Sequence, residues 1–553
     1  MTNSEYSCHK EAHDTPSTAA SLENQIQKYR CYALASLFLI ILLFSALVCF
    51  TVWAVVRVQK SDKRSPETEY EYFWPKGTSN PLLSYKHGVV STDNGLCSEI
   101  GRNILIQGGN AVDSAIATSL CEEATVSQSS GLGGGFFMTI YNRSTQNCST
   151  INAREVAGEL ATPDMYANVS FNTGFFKVAV PGQLHGLWTA WSRYGSLPWK
   201  SLFEPTIRVC RSGFPTPGST ARILADRRHK NVIRQLADEA TGMADILINP
   251  TTNRPFEEGE IMKRSVLAET LELLANSSDP IKTFYKGEIS RKILNDIRNN
   301  GGILTRADFA NYKSEVIQNP ILMPILTTTG RPPLELCGPP PPSSAVLIGS
   351  ILKVLSRFNL TQESIKGIET ASLTYHRIIE AMKFAFGVRG ELGDPNFADT
   401  IDEVVARLTT EQWADDVYNR ISETAMPLES YTRWTAESDK GTTHISVIDQ
   451  HGNAVAMTTS INYFWGAKVR SRSTGIFLNN QMQDYSIPGR LDGFGLPPSP
   501  VNFIAPGKRP MSSMSPCVLI DRASGDVKMV IGASGGSRII SSVAYVCYPV
   551  TLI

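Results

Sequence analysis

Residues 439–464 read DKGTTHISVIDQHGNAVAMTTSINYF. THISVID and NAVAMTTSI are alternating or apolar runs, and QHGN joins them; that is the pattern of a β-hairpin, with Gly and Asn supplying the tight turn. A glycine and two threonines stand at its head. One reading is plain: threonine suits strands, and glycine precedes them. The other is that the chain cuts itself between Gly441 and Thr442. A threonine hydroxyl is a poor nucleophile until a base takes its proton. An N-terminal threonine carries such a base, an α-amine titrating at about 7.7–8.0. Gly441 would leave its carbonyl accessible and tolerate a strained backbone. Taken alone, the stretch favours the plain strand start, because Thr-Thr pairs are common.

The rest of the chain narrows the classes. It has 553 residues, 42% of them apolar, enough for a large core. Lys+Arg and Asp+Glu both number 52, and no long basic block occurs, which argues against nucleic acid as the main partner. There is no sustained heptad, repeat or low-complexity tract.

Residues 31–56, CYALASLFLIILLFSALVCFTVWAVV, carry no charge. As a helix rising ~1.5 Å per residue this run reaches roughly 39 Å, enough to span a bilayer with some tilt. It is too long, and too far from the N-terminus, for a cleaved signal peptide. The expected order is a polar tail at 1–30, a transmembrane anchor at 31–56 and a charged stalk at 57–80. Positive charge leans to the C-terminal flank, with Arg57, Lys60, Lys63 and Arg64 against Lys28 and Arg30. Five sequons after the span (Asn142, Asn147, Asn168, Asn276 and Asn359) lean the other way. So do seven of the ten cysteines, which fit an oxidising space. The expectation is a cytoplasmic N-terminus at the plasma membrane with the body outside.

Within the body, residues 89–92 read as a short strand followed by a helix that the QGGN stretch ends. NAVDSAIATSLC reads as a second helix, of small residues suited to tight packing. Strands follow at GFFMTIYN and STINARE, helices at SVLAETLELLANSS and LTYHRIIEAMKFAF, and later strands at TGIFLNN, CVLIDR and DVKMVIGAS. The expected class is mixed α/β in layers, with helices on the faces of sheets. GLGGG (131–135) lacks the residues of a phosphate loop or dinucleotide fingerprint; a turn allowing close backbone approach is the better reading. The histidines form no HExxH and no Cys/His cluster, so no metal is expected. Ser512 and Ser513 in PMSSMSP do not match a nucleophile elbow. Cys97 and Cys121, at the ends of the first two helices, could form a disulfide.

Many motifs, in order, then resemble one family. They include KHGVVSTDNGLCSEIG, GGNAVDSAIA, GLGGGFFMTIYN, INAREVA, GGILTRADFANY, GTTHISVID, GIFLNNQMQDYS, PMSSMSP and VIGASGGSRI. Over nearly all of residues 85–540 the chain is similar to the γ-glutamyltransferases, or glutathione hydrolases. The resemblance implies an N-terminal-nucleophile hydrolase with an αββα sandwich, anchored by one N-terminal span. It implies self-cleavage between Gly441 and Thr442 into a large-subunit region, 81–441, and a small-subunit region, 442–553, that stay together. Motif register selects Thr442 over Thr443, two positions before His444.

The resemblance also implies roles. Thr442 is the nucleophile, and Ser460 is a hydroxyl near it tied to processing and activity. Arg154, Ser512 and Ser513 hold the γ-glutamyl α-carboxylate, for which a guanidinium fork is suited. Asn462, Gln481 and Asp484 receive the α-ammonium. Gly535 and Gly536 supply backbone N–H groups to an oxyanion hole. The implied reaction passes the γ-glutamyl group of glutathione or its conjugates through a Thr442 ester to water, an amino acid or a dipeptide, with no cofactor.

Two departures set further expectations. Position 481 is Gln where many members carry Glu, so affinity for the ammonium is expected to weaken. The region from Thr442 onward is shorter than the family's small subunit, and the match fades after Arg538. A scaffold that never processes, a non-catalytic membrane glycoprotein, is therefore the alternative.

Overall fold

The computed structural model describes residues 85–167, 174–226, 241–325, 333–433, 441–491 and 497–552. The expected tail, membrane span and stalk, together with Asn168, lie outside these residues. Among the described residues no helix is long and apolar enough to cross a membrane.

Two antiparallel sheets lie face to face between helical layers. The larger sheet holds β1 (Val89–Ser91), β2 (Gly135–Asn142), β3 (Asn147–Ala153), β4 (Glu315–Ile317), β7 (Gly441–Ile448) and β8 (Ala454–Asn462). Its order is β1-β7-β8-β2-β3-β4. The smaller sheet holds β5 (Ile321–Ile325), β6 (Leu334–Gly338), β9 (Cys517–Asp521) and β10 (Asp526–Ile531), in the order β10-β9-β6-β5. Thus β7 and β8 form the expected hairpin, and β8 is central. Every residue of AVAMTTSIN is buried, as a strand covered on both faces requires.

Helices α1 (Gly95–Ile106), α2 (Ala111–Thr125) and α3 (Gln183–Tyr194) cover the larger sheet. Asn94 caps α1 by accepting from the Leu96 N–H, and Asn110 with Asp113 forms a capping box on α2. Gly108, at φ 90°, takes the left-handed turn after α1 that the QGGN stretch promised. All of α2 is buried; its small residues let α1 approach so closely that a Cβ on Gly101 would overlap the Thr118 hydroxyl. Between the sheets lie Tyr141, Cys148, Cys337, Ala454, Ala456, Val518 and Ile520. The smaller sheet is backed by α4 (Ala345–Ser356), which α5 (Ile368–Arg389) and α6 (Arg538–Leu552) pack against. The fold is the expected helix–sheet–sheet–helix sandwich.

Three findings correct or extend the sequence reading. The stretch TGIFLNN is not a strand: only Phe477 makes a bridge, to Arg470. Its backbone instead folds onto residues 467–471, with Ala467 N–H donating to Leu478 O and Leu478 N–H to Val469 O. The tail beyond Arg538 forms a helix, where the match was expected to fade. Ile539, Ile540, Val543, Ala544 and Cys547 of that helix enter the core shared with α4. The Cys97–Cys121 disulfide is present, and a second, Cys148–Cys337, joins β3 of one sheet to β6 of the other.

Candidate active site

The site grows from an irregularity at the head of the hairpin. Gly441 pairs with Asn462, but Thr443 pairs with Thr459, so β8 carries one residue more than β7 at this point. Asn462 absorbs the excess at φ 75°, a left-handed conformation that a non-glycine residue adopts rarely. Such bulges re-aim side chains beside active sites. Here the bulge turns Ser460 toward the Gly441–Thr442 bond. The Thr442 hydroxyl donates to Ser460 Oγ (3.2 Å), and the Ser460 hydroxyl donates to Gly441 O (2.5 Å). Asn462 N–H donates to the same Ser460 oxygen (2.8 Å), which fixes it from a third side.

GLGGG serves close approach, as expected. A Cβ on Gly134 would overlap the Ser460 carbonyl oxygen, and one on Gly133 would overlap that of Phe477.

From Asn462 the contacts lead to a second cluster. Asn462 Nδ2 donates to Asn480 O (3.2 Å), and the turn Gln481–Asp484 follows directly. Gln481 Nε2 donates to Asp484 Oδ2 (2.9 Å). Arg154, at the end of β3, donates through Nη2 to the same oxygen (2.5 Å). Arg154 also donates to Pro510 O and Met511 O, each at 3.3 Å, immediately before Ser512 and Ser513. Arg154, Asn462, Gln481, Asp484, Ser512 and Ser513 are all buried. Asn462 Oδ1 and Gln481 Oε1 are buried acceptors that receive no hydrogen bond among the described residues. Direct or backbone contacts therefore join Arg154, Asn462, Gln481 and Asp484, and Arg154 reaches the backbone just before Ser512 and Ser513.

Gly535 and Gly536 lie on the loop between β10 and α6, both at positive φ (109° and 70°). Gly532, three residues earlier, packs against the ring of His444, where any Cβ would overlap the imidazole. His444 Nδ1 lies 2.8 Å from Thr458 Oγ1 and Nε2 2.9 Å from Ser446 Oγ. Burial pushes this imidazole down to about 3.

Sequence reasoning missed the carboxyl pair behind the strand that begins at Gly441. Thr443 Oγ1 donates to Asp93 Oδ2 (2.7 Å) and lies 3.4 Å from Glu122 Oε2. Glu122 Oε1 accepts from Thr92 Oγ1 and Asn94 N–H. Burial, and then the neighbouring Asp93, push Glu122 up to about 8. The signal was present in SLCEEATVS, where two acids interrupt a stretch of small and apolar residues.

Of the sequons, Asn142 and Asn147 flank the exposed turn between β2 and β3, and Asn276 and Asn359 are also exposed.

Comparison with known proteins agrees with this geometry. The gamma-glutamyltranspeptidase family profile matches residues 97–552, past the point where the resemblance was expected to end. Scoloptoxin SSD14 of Scolopendra dehaani is 40% identical over 465 residues, covering 83% of this chain and 78% of its own. Glutathione hydrolase proenzyme 1 of Schizosaccharomyces pombe is 39% identical over 481 residues, covering 85% of this chain and 72% of its own. Among solved structures, the gamma-glutamyltranspeptidase of Helicobacter pylori superposes with TM-score 0.56 at 26% identity, over 64% of this chain and 97% of that one. The chain belongs to the gamma-glutamyltranspeptidase family.

Proposed function

We propose that this chain is a self-processing γ-glutamyltransferase and glutathione hydrolase. The observation that carries the reading is the hydroxyl relay at the Gly441–Thr442 bond, where Ser460 accepts from Thr442 and donates to the Gly441 carbonyl. In the precursor, Thr442 Oγ attacks the Gly441 carbonyl carbon. Ser460 takes the hydroxyl proton as it passes its own to the carbonyl oxygen. The C–N bond breaks with a proton to nitrogen, leaving an ester, which water hydrolyses. Gly441 then ends in a carboxylate, and Thr442 keeps its hydroxyl and gains a free amine. The word proenzyme in the yeast relative's name supports such processing.

That amine, titrating at about 7.7–8.0, is the base for the next attack. Thr442 Oγ adds to the γ-carbonyl of glutathione or a conjugate, and the N–H groups of Gly535 and Gly536 receive the oxyanion. The cysteinylglycine amine leaves with a proton. Water or an amino acid or dipeptide then takes the γ-glutamyl group from Thr442. Arg154, Ser512 and Ser513 hold the α-carboxylate. Asp484, with the acceptor oxygens of Asn462 and Gln481, holds the α-ammonium; the two buried amide oxygens without a described donor support this assignment. Two disulfides support an oxidising, extracellular setting for the body, with residues 31–56 as its anchor.

The test is turnover. Purified protein should release glutamate from glutathione and, given glycylglycine, form a γ-glutamyl tripeptide. Thr442→Ala should do neither. Equal turnover by Thr442→Ala, or none by the wild type, would contradict the reading.

A further inference from the structure

The carboxylate end of the site has a feature that none of its expected residues explains. Ser512 and Ser513 are useful to a carboxylate only if their hydroxyl hydrogens point at it, since a hydroxyl can equally accept. In this structure each serine oxygen already receives a hydrogen bond. Ser512 Oγ accepts from the Met514 N–H (3.1 Å), which comes from the serine loop itself. Ser513 Oγ accepts from Arg389 Nη2 (3.0 Å), which comes from across the fold. Among the described residues neither hydroxyl donates to any acceptor.

Arg389 is the last residue of the long helix α5 and is only 4% exposed. A cation suits that position, at the negative end of the helix dipole. The helix end is fixed: the Thr432 hydroxyl donates to Gly387 O (3.0 Å) and the Ser499 hydroxyl to Gly390 O (2.6 Å). The serine loop is fixed as well, because Ser344 Oγ donates to Ser512 O (2.6 Å) and Ser512 N–H donates to Pro342 O (2.8 Å). A buried guanidinium is thus held against one serine oxygen at a defined distance.

We propose that Arg389 is a positioning residue for the substrate's α-carboxylate. It fills one of the two acceptor positions of the Ser513 oxygen, which biases the hydroxyl hydrogen toward donating to a carboxylate in the site. The ligand class is an α-amino acid head group with a free carboxylate. This inference rests on the reading under Proposed function and adds a residue to its binding half, leaving the Thr442 chemistry unchanged.

The experiment compares Arg389→Gln, Arg389→Lys and wild type on two substrates. One is γ-glutamyl-p-nitroanilide; the other is its neutral α-carboxamide. Appearance of the fragment beginning at Thr442 reports folding and processing in each variant. The expected result is that Arg389→Gln still cleaves itself. Its KM for the carboxylate substrate rises about ten-fold or more, as loss of a hydrogen bond to a charged group implies, while kcat moves much less. Its preference for carboxylate over carboxamide falls by the same factor, and Arg389→Lys recovers part of it. Undiminished preference in Arg389→Gln would overturn the inference and leave the enzyme reading standing. So would loss of self-cleavage in both variants, which would make Arg389 a folding residue. Failure of the wild type to cleave itself or to release nitroaniline would instead sink the reading and the inference with it.

Discussion

Arg154 and Asp484 meet inside the site: Nη2 of the guanidinium lies 2.5 Å from Oδ2 of the carboxylate, with both side chains buried. Glu155 lies 3.6 Å from the other guanidinium nitrogen. The two groups assigned to opposite ends of a zwitterion thus neutralise each other here. On the proposed assignment a substrate's carboxylate would pair with Arg154 and its ammonium with Asp484, so two buried pairs would replace one.

Breaking the pair from one side should cost both stability and affinity. Asp484→Asn removes the closer carboxylate from a buried cation, a change of about 3–5 kcal/mol in comparable sites. With Glu155 still adjacent, we expect about 3 kcal/mol from urea unfolding, together with a KM raised at least about ten-fold. Arg154→Met combined with Asp484→Asn should cost less than the two single changes added together. Strict additivity would show that the contact carries no coupling.

Ser460 should control the rate of the cut. Ser460→Ala leaves the Asn462 N–H without its acceptor, a cost of about 1–3 kcal/mol, and ends proton exchange between Thr442 and Gly441. Proton transfer of this kind contributes about 10²–10⁴-fold, so the two-band pattern on a denaturing gel should appear at least about a hundred times more slowly. Ser460→Thr, which restores a hydroxyl, should recover much of the rate. Unchanged processing in Ser460→Ala would remove the relay from the mechanism.

Stability should bend with pH at both ends. Burial raises Glu122 to about 8 and Glu123 to about 7, from ordinary values of 4.5. A raised acid gives stability that is complete below its unfolded value and is lost as pH rises through its folded value, here between about 4.5 and 8. His444 does the reverse: lowered from 6.5 to about 3, it gives stability present above 6.5 and lost as pH falls towards 3. Glu122→Gln keeps the neutral shape and can still serve Thr443 and Thr92. Its melting temperature should therefore decline less than that of the wild type between pH 5 and 8, measured at about equal ionic strength. Parallel declines would show that Glu122 is not the group responsible.

The disulfides bear on how the fragments stay together. Cys97–Cys121 and Cys148–Cys337 both lie before Gly441, and Cys517 and Cys547 beyond it are buried and form no disulfide among the described residues. Cleaved protein should accordingly separate into two bands on a denaturing gel without reductant, although it co-purifies as one species in native buffer. Replacing Cys148 and Cys337 with alanine should lower stability by about 2–4 kcal/mol, because the bridge closes a long loop between the sheets. A single non-reduced band from cleaved protein would mean that a bond crosses the cut.

Local features were legible in the sequence because their causes are local. The hairpin from 441 to 462, the two helices after β1 and the glycine turn after α1 follow from periodicity and turn chemistry. The six residues from Arg154 to Ser513 were found by resemblance, since nothing in spacing alone joins a strand end, a short turn and a loop hundreds of positions apart. What escaped was long-range in the same sense. TGIFLNN has the composition of a strand but spends its backbone hydrogen bonds on a neighbouring loop. Cys148 and Cys337 meet only because two sheets stack. Arg389 meets Ser513 because a helix from the middle of the chain ends beside a loop near its close.

The central claim is that the chain cuts itself to make Thr442 its nucleophile. The most direct measurement is N-terminal sequencing, by Edman degradation or mass spectrometry, of the expressed protein and of Thr442→Ala. The account predicts a fragment beginning Thr-Thr-His-Ile in the wild type and an uncut chain in the variant. A wild type that stays whole, or a variant that yields the same fragment, would contradict it.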